Sequence, residues 1–110
     1  MKKISIMLVI ICLGLYAQAQ SVAEQHAGRI AQRMKDTLSL NETQRQQIYE
    51  INLRLATQKQ AARSASSDRD QVGRQLQHIE NTRDGLYQPI LGEEKFPIYK
   101  MKKKNLVNGQ

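Results

Sequence analysis

After position 20 the apolar residues recur at spacings of three and four, and nowhere do they alternate with polar residues over the length of a strand. That pattern excludes half-buried strands and puts the apolar side chains on helix faces. Gly and Pro are scarce while Gln, Arg and Ala are abundant, so local propensity points the same way. The expected fold class is all-α, an elongated helical hairpin with flanking shorter helices.

The first segment, Val22 to Leu38, places Ala23, Ala27, Ile30, Met34 and Leu38 on one face. The pattern breaks over Leu38 to Asn41. Asn41 is a good N-cap, Gln44 stands three residues later as a capping box prefers, and Glu42 adds negative charge to the first turn. The helix that follows is expected to reach about Arg63, with Ile48, Ile51 and Leu55 as its stripe, flanked by Tyr49, Leu53 and Ala62. Ser64-Ala65-Ser66-Ser67-Asp68 reads as a turn, with Ser67 and Asp70 as a second cap signal.

The third helix carries Val72, Leu76, Ile79, Arg83, Leu86 and Ile90, a seam of coiled-coil spacing with one charged position. Arg83 there either snorkels, its stem packed and its head in water, or meets a buried carboxylate. Two such helices joined by a short Ser-rich turn form an antiparallel hairpin. Pro89 is expected to end or kink the third helix. A last segment over Glu93 to Lys104 brings Phe96, Ile98, Tyr99 and Met101, and Pro97 either kinks it or starts its regular part. Residues 106–110 are expected to be a disordered end.

Residues 1–19 read as an export signal. Lys2 and Lys3 form a positive start, Ile4 to Leu15 an apolar run, and Ala17-Gln18-Ala19 a small-residue cleavage site. The run is shorter than the roughly twenty residues a membrane span needs. Removal after Ala19 also removes Cys12, the one cysteine, so the exported chain has no disulfide to lean on. With a single Phe and no Trp, its apolar inventory is thin for a compact monomer, and dimerisation would complete the core.

The formal charge of +7 falls to +5 without Lys2 and Lys3, and Lys100, Lys102, Lys103 and Lys104 hold four of those charges. Export and the lack of any aromatic-rich or recognition-helix pattern argue against nucleic acid. The basic run is a solvated tail, or it contacts an anionic membrane surface or acidic protein segments. Nothing in the chain matches a catalytic template. His26 and His78 lie on different helices, so no cofactor or metal is expected. The serines at 64, 66 and 67 have no base beside them, and no phosphate-cradling glycine loop exists. The protein is not expected to be an enzyme.

Leu40-Asn41-Glu42-Thr43-Gln44, followed by Gln47-Ile48-Tyr49-Glu50-Ile51, resembles the Leu-Thr-x-x-Gln motif of the Spy/CpxP-like periplasmic proteins. That family has a second copy near its C-terminus, and Ile90-Leu91-Gly92-Glu93-Glu94-Lys95-Phe96 stands in its place. Asn41 replaces the motif's Thr, a conservative change for a cap, whereas Gly92 and Lys95 replace the second Thr and Gln. The resemblance covers about residues 25–104 of a helical domain expected over 20–105, and it implies a thin four-helix dimeric assembly in the periplasm. It implies an ATP-independent chaperone that holds non-native envelope proteins, or a regulator that docks on an envelope-stress sensor domain. The metal-stress members fit less well, given so little histidine and cysteine. On the chaperone reading the client-binding candidates are Arg45, Arg54, Lys59, Arg74 and Arg83, with Tyr49 and Leu53 as apolar contacts. Leu40, Asn41, Gln44, Leu91 and Gly92 are the motif and cap positions.

Overall fold

A computed structural model describes residues 21–109. The expected export signal and Gln110 lie outside the described residues. Among those described, all regular structure is helical: α1 over 21–38, α2 over Glu42–Ala65, α3 over Arg69–Asn81 and α4 over Arg83–Asn108.

The spacing on α1 works as its residues require. Ala27, Ile30, Met34 and Leu38 are buried, joined by Ala31. The helix ends where Ser39 turns left-handed at φ 55°, a conformation that costs a non-glycine residue about 1–2 kcal/mol. The turn is held by the Leu40 N–H, which donates to the Lys35 carbonyl at 3.1 Å, the six-to-one bond of a Schellman end. Asn41 then caps α2 with both halves of a capping box: its Oδ1 accepts from the Gln44 N–H at 2.8 Å, and its own N–H donates to Gln44 Oε1 at 3.0 Å.

Helices α2 and α3 form the expected antiparallel hairpin. The cap of α3 is Asp68 rather than Ser67. Its carboxylate accepts from the Asp70 and Gln71 N–H groups at 3.0 and 3.4 Å, and Ser66 Oγ accepts the Asp68 N–H at 3.1 Å. An ionised acceptor suits the positive end of a helix better than a hydroxyl does. Helix α3 packs mainly against α2, where Val72, Leu76 and Ile79 are half-buried and no α3 residue is buried completely. The described residues extend 61 × 35 × 24 Å.

The seam does not pass unbroken into α4. At Thr82 the N–H and the hydroxyl both bond the Ile79 carbonyl, at 3.1 and 2.7 Å. This three-residue tightening overwinds the chain and turns the face that follows. Consequently Arg83, Tyr87 and Leu91 are buried, while the expected seam positions Leu86 and Ile90 are only half-buried.

Neither proline breaks the last helix. It runs through Pro89 and through Pro97, and the interruption falls between them at Gly92, with φ 77° and ψ 178°. Pro89 lies in the final turn before that break and Pro97 near the start of the turn-up after it, so each removes one helical bond near an end where few remain to lose. Gly92 occupies a region open essentially to glycine alone. The far end also differs from expectation. Helix α4 continues to Asn108, and Leu106 and Val107 are buried in the cluster that holds Ile30, Ala31 and Met34. Two isolated apolar residues in a polar stretch look like a frayed tail until the face of α1 is there to cover them.

The core thus draws its buried residues from α1, α2 and α4. Tyr87 and Tyr99 are its largest members, fully buried and edge to face with ring centroids 5.1 Å apart, and Phe96 packs beside Tyr99.

A paired substitution separates backbone conformation from packing. No atom lies within 4 Å of a Cβ placed at Gly92 or at Gly73. Gly92→Ala should nevertheless destabilise by about 1–3 kcal/mol through its positive φ. Gly73→Ala, inside α3, should stabilise by about 0.5–1 kcal/mol. Urea midpoints moving in opposite directions check both.

Candidate functional site

The two motif positions meet at the base of the molecule. Leu40 and Leu91 are both buried in the same cluster. Gln44, four residues after Leu40, donates from Nε2 to the Ile90 carbonyl at 3.0 Å, and Lys95, four residues after Leu91, donates from Nζ to the Ser39 carbonyl at 2.8 Å. Each side chain therefore reaches the carbonyl just before the other leucine. Both acceptors are free because a helix stops there, at Ser39 and at Gly92. Lysine in place of glutamine keeps the donor and adds a cation at the negative end of α1. Glycine in place of a capping side chain is what the backbone at position 92 requires.

Above this junction lies a buried polar cluster. Arg83 is 3% exposed. Its Nη1 donates to Asn52 Oδ1 at 2.9 Å and to the Tyr87 hydroxyl at 2.8 Å, while Nε and Nη2 donate to the Glu80 carboxylate at 2.8 and 3.1 Å. Tyr87 also donates to Asn52 Oδ1, and Asn52 donates to the Ala27 carbonyl at 3.2 Å. Lys59 closes the far side of Glu80 at 2.6 Å. Burial pushes the Glu80 carboxyl up, but hydrogen bonds from Arg83 and Lys59 outweigh it and the net shift is downward. Burial raises the Tyr87 phenol to about 12. Of the two alternatives for Arg83, the carboxylate partner is the one found. Buried in this way, Arg83 is removed from the client-binding set, which requires an exposed side chain.

A cleft of about 890 Å³ opens beside this cluster, between α1 and the end of α4. His26, Arg29 and Arg33 enter it from α1, and Lys59 from α2. Lys100, Lys103 and Lys104 enter it from α4, with Met101 and Val107 as apolar wall. Arg33 Nε donates to the Leu106 carbonyl at 3.1 Å, covering the negative end of α4. Lys100 and Lys103 pair with Asp84 at 2.6 and 2.9 Å, and the Tyr99 hydroxyl donates to the same carboxylate at 2.8 Å. The lysine run is therefore partly a wall of this cleft and not simply a solvated tail. The His26 imidazole is lowered from its ordinary value, first by burial and then by the charges of Arg29, Arg83, Lys59 and Arg33.

The remaining candidates do not share a face. Arg45 is half-buried and paired with Glu42 at 2.6 Å, and Tyr49 packs against the core beside Gly28. Leu53 is half-buried. Arg54 borders a groove with Ile79, Thr82 and Leu86, whereas Arg74 edges a separate shallow depression with Gln71 and Gln75; His78 touches both. Lys59 alone of the set lines the basic cleft. His26, Arg29 and Arg33 were not singled out from sequence, although their spacing of three and four on α1 places them on one helix face. Among the described residues, no group of three or more His, Cys, Asp or Glu is placed to hold a metal ion, and no helix is long and apolar enough to cross a membrane.

A family model described as a domain of unknown function, DUF4890, matches residues 16–105. The chain belongs to the DUF4890 family. The matched span contains the whole junction, the Arg83 cluster and all the cationic residues of the cleft; only Val107, Asn108 and Gly109 of its lining lie beyond. No curated protein matches the chain, and no solved structure does.

Asp84 supplies a test of the α4 contacts. Burial raises its carboxyl, but hydrogen bonds from Lys100, Lys103 and Tyr99 outweigh this and hold it at about 2, below the ordinary 3.8. A depressed carboxyl favours the folded state above its unfolded value and loses that contribution as the pH falls toward the folded one. Asp84→Asn should flatten the loss of stability between pH 4 and pH 2 and lower stability at pH 7 by about 1 kcal/mol, the worth of a hydrogen bond in place of a charged one. Denaturation curves across that pH range check it.

Proposed function

We propose that the protein is an ATP-independent, chaperone-like binder of non-native envelope proteins, acting in the periplasm once residues 1–19 are removed. One observation carries the reading: α3 is strongly amphipathic, yet none of its residues is fully buried. Val72, Leu76 and Ile79 remain half-open along a thin hairpin with Arg54 and Arg74 exposed nearby. Positive charge gives long-range capture of acidic or unfolded segments, and scattered apolar groups give contact weak enough to reverse. Flexible Gln, Arg and Met side chains suit partners of varied shape. No nucleotide is needed, because a client that folds while loosely held withdraws the apolar surface that bound it.

The reciprocal packing of the Leu40 and Leu91 segments supports the Spy/CpxP-like comparison, since each helix start has a structural use for the motif position it occupies. Two copies associated into a thin four-helix layer would leave the half-open apolar residues of α3 and the cationic rims facing clients.

Light scattering from an unrelated, chemically denatured protein diluted into buffer tests this directly. Suppression of aggregation is expected at near-stoichiometric amounts without ATP, weakening as salt shortens the range of the charges to well under about 10 Å. The Arg54→Gln, Arg74→Gln double variant should protect less at equal folded content. Absence of protection overturns the reading and favours docking on a single sensor domain.

A further inference from the structure

The cleft between α1 and the end of α4 holds more positive charge than the carboxylates near it neutralise. Among the described residues seven cationic side chains line it, and two carboxylates reach them, Glu80 shared by Lys59 and Arg83, and Asp84 shared by Lys100 and Lys103. Seven against two leaves a surplus of five. Among the described residues no carboxylate lies within ion-pair distance of Arg29, Arg33 or Lys104. Like charges held together on the walls of a concave, partly apolar space repel one another and focus a positive potential into it.

We propose that this cleft is a binding site for a phosphoryl polyanion, either a soluble oligophosphate or the phosphorylated headgroup of a lipid. Three features select that chemistry. Arg33 is already fixed through Nε to the Leu106 carbonyl, which leaves its terminal nitrogens free to fork onto phosphate oxygens. The lysines of α4 line the same cleft as compact point charges, so a group bearing several negative oxygens meets cations from both helices. At about 890 Å³ the space takes more than a lone inorganic ion, and falls within the range of small-molecule sites. Gly109 belongs to the same arrangement: at φ 72° it ends α4, and a Cβ there would lie 2.8 Å from Arg33 Nη1, so a side chain at this position would push the guanidinium aside. His26 on the α1 wall reports on the site, since the cations that lower it are those the anion would neutralise.

The site does not depend on the chaperone reading, which rests on the hairpin. The test is a titration of the purified protein with sodium tripolyphosphate at fixed ionic strength, followed by calorimetry and by the His26 imidazole resonances. Saturable binding is expected, with the His26 pKa rising as the ligand fills the cleft, while the resonances of His78, outside the cleft, stay in place. The Arg29→Gln, Lys104→Gln double variant removes two exposed, unpaired charges. It should bind about tenfold more weakly, the size of one charge-assisted hydrogen bond, with a thermal midpoint equal to or above the parent's. Co-sedimentation with phosphatidic acid vesicles that tripolyphosphate competes away identifies a lipid headgroup, and tripolyphosphate binding without co-sedimentation identifies a soluble ligand. A response no different from that to sodium chloride overturns the proposal, as do a static His26 pKa and undiminished affinity in the double variant. Equal affinity for a poly-glutamate peptide of matched charge overturns the phosphate assignment and leaves a general polyanion surface.

Discussion

One guanidinium, buried among four helices, ties the molecule together. Arg83 meets Glu80 of α3, Asn52 of α2 and Tyr87 of its own helix, and through Asn52 the cluster reaches the backbone of α1 at Ala27. Removing a charge from water costs several kcal/mol, and its partners repay this only when the geometry is good and the remaining donors and acceptors are satisfied. Here every buried side-chain nitrogen and oxygen among the described residues has a partner. Such a cluster need not outweigh a well-packed apolar one in stability. What it adds is register: donors and acceptors from all four helices are matched, so sliding one helix by a turn leaves a buried polar or charged group without its partner.

A chain with so few large apolar residues uses that register to place its stability unevenly. At the base, the two tyrosines, the Leu40 and Leu91 segments and the reciprocal side-chain bonds of Gln44 and Lys95 converge. Toward the hairpin tip the apolar residues of α3 stay half in water. Local opening should therefore be cheapest at the tip and dearest near Arg83. The two proposed activities divide along the same axis. Loose, adaptable contact belongs to the open hairpin, and a defined ligand belongs to the cleft whose walls the base holds still.

How far the sequence discloses this depends on the range of each interaction. The helices, the Asn41–Gln44 capping box and the buried face of α1 rest on contacts a few residues apart, so spacing and residue type reveal them. Arg83 defeats the same logic. Spacing places it in the seam, but whether it snorkels or sinks depends on Asn52, thirty-one positions away. The prolines mislead for a related reason: they are strong local signals, but the break inside α4 falls at Gly92, where the backbone takes a positive φ between them. Leu106 and Val107 look like tail residues without α1 to cover them. The cleft is harder still, since it joins α1 cations to α4 lysines some seventy residues on, and the local pattern shows only two basic stretches.

Native-state hydrogen exchange on an Asn52→Ala variant, followed amide by amide, tests the role of the Arg83 cluster most directly. If the cluster fixes the register of all four helices, protection should fall together in α1, in the centre of α2 and across Arg83–Leu91, by about 1–3 kcal/mol, the cost of leaving buried donors without their acceptor. Loss confined to the turns of α2 around position 52, with α1 and α4 protected as before, would contradict it.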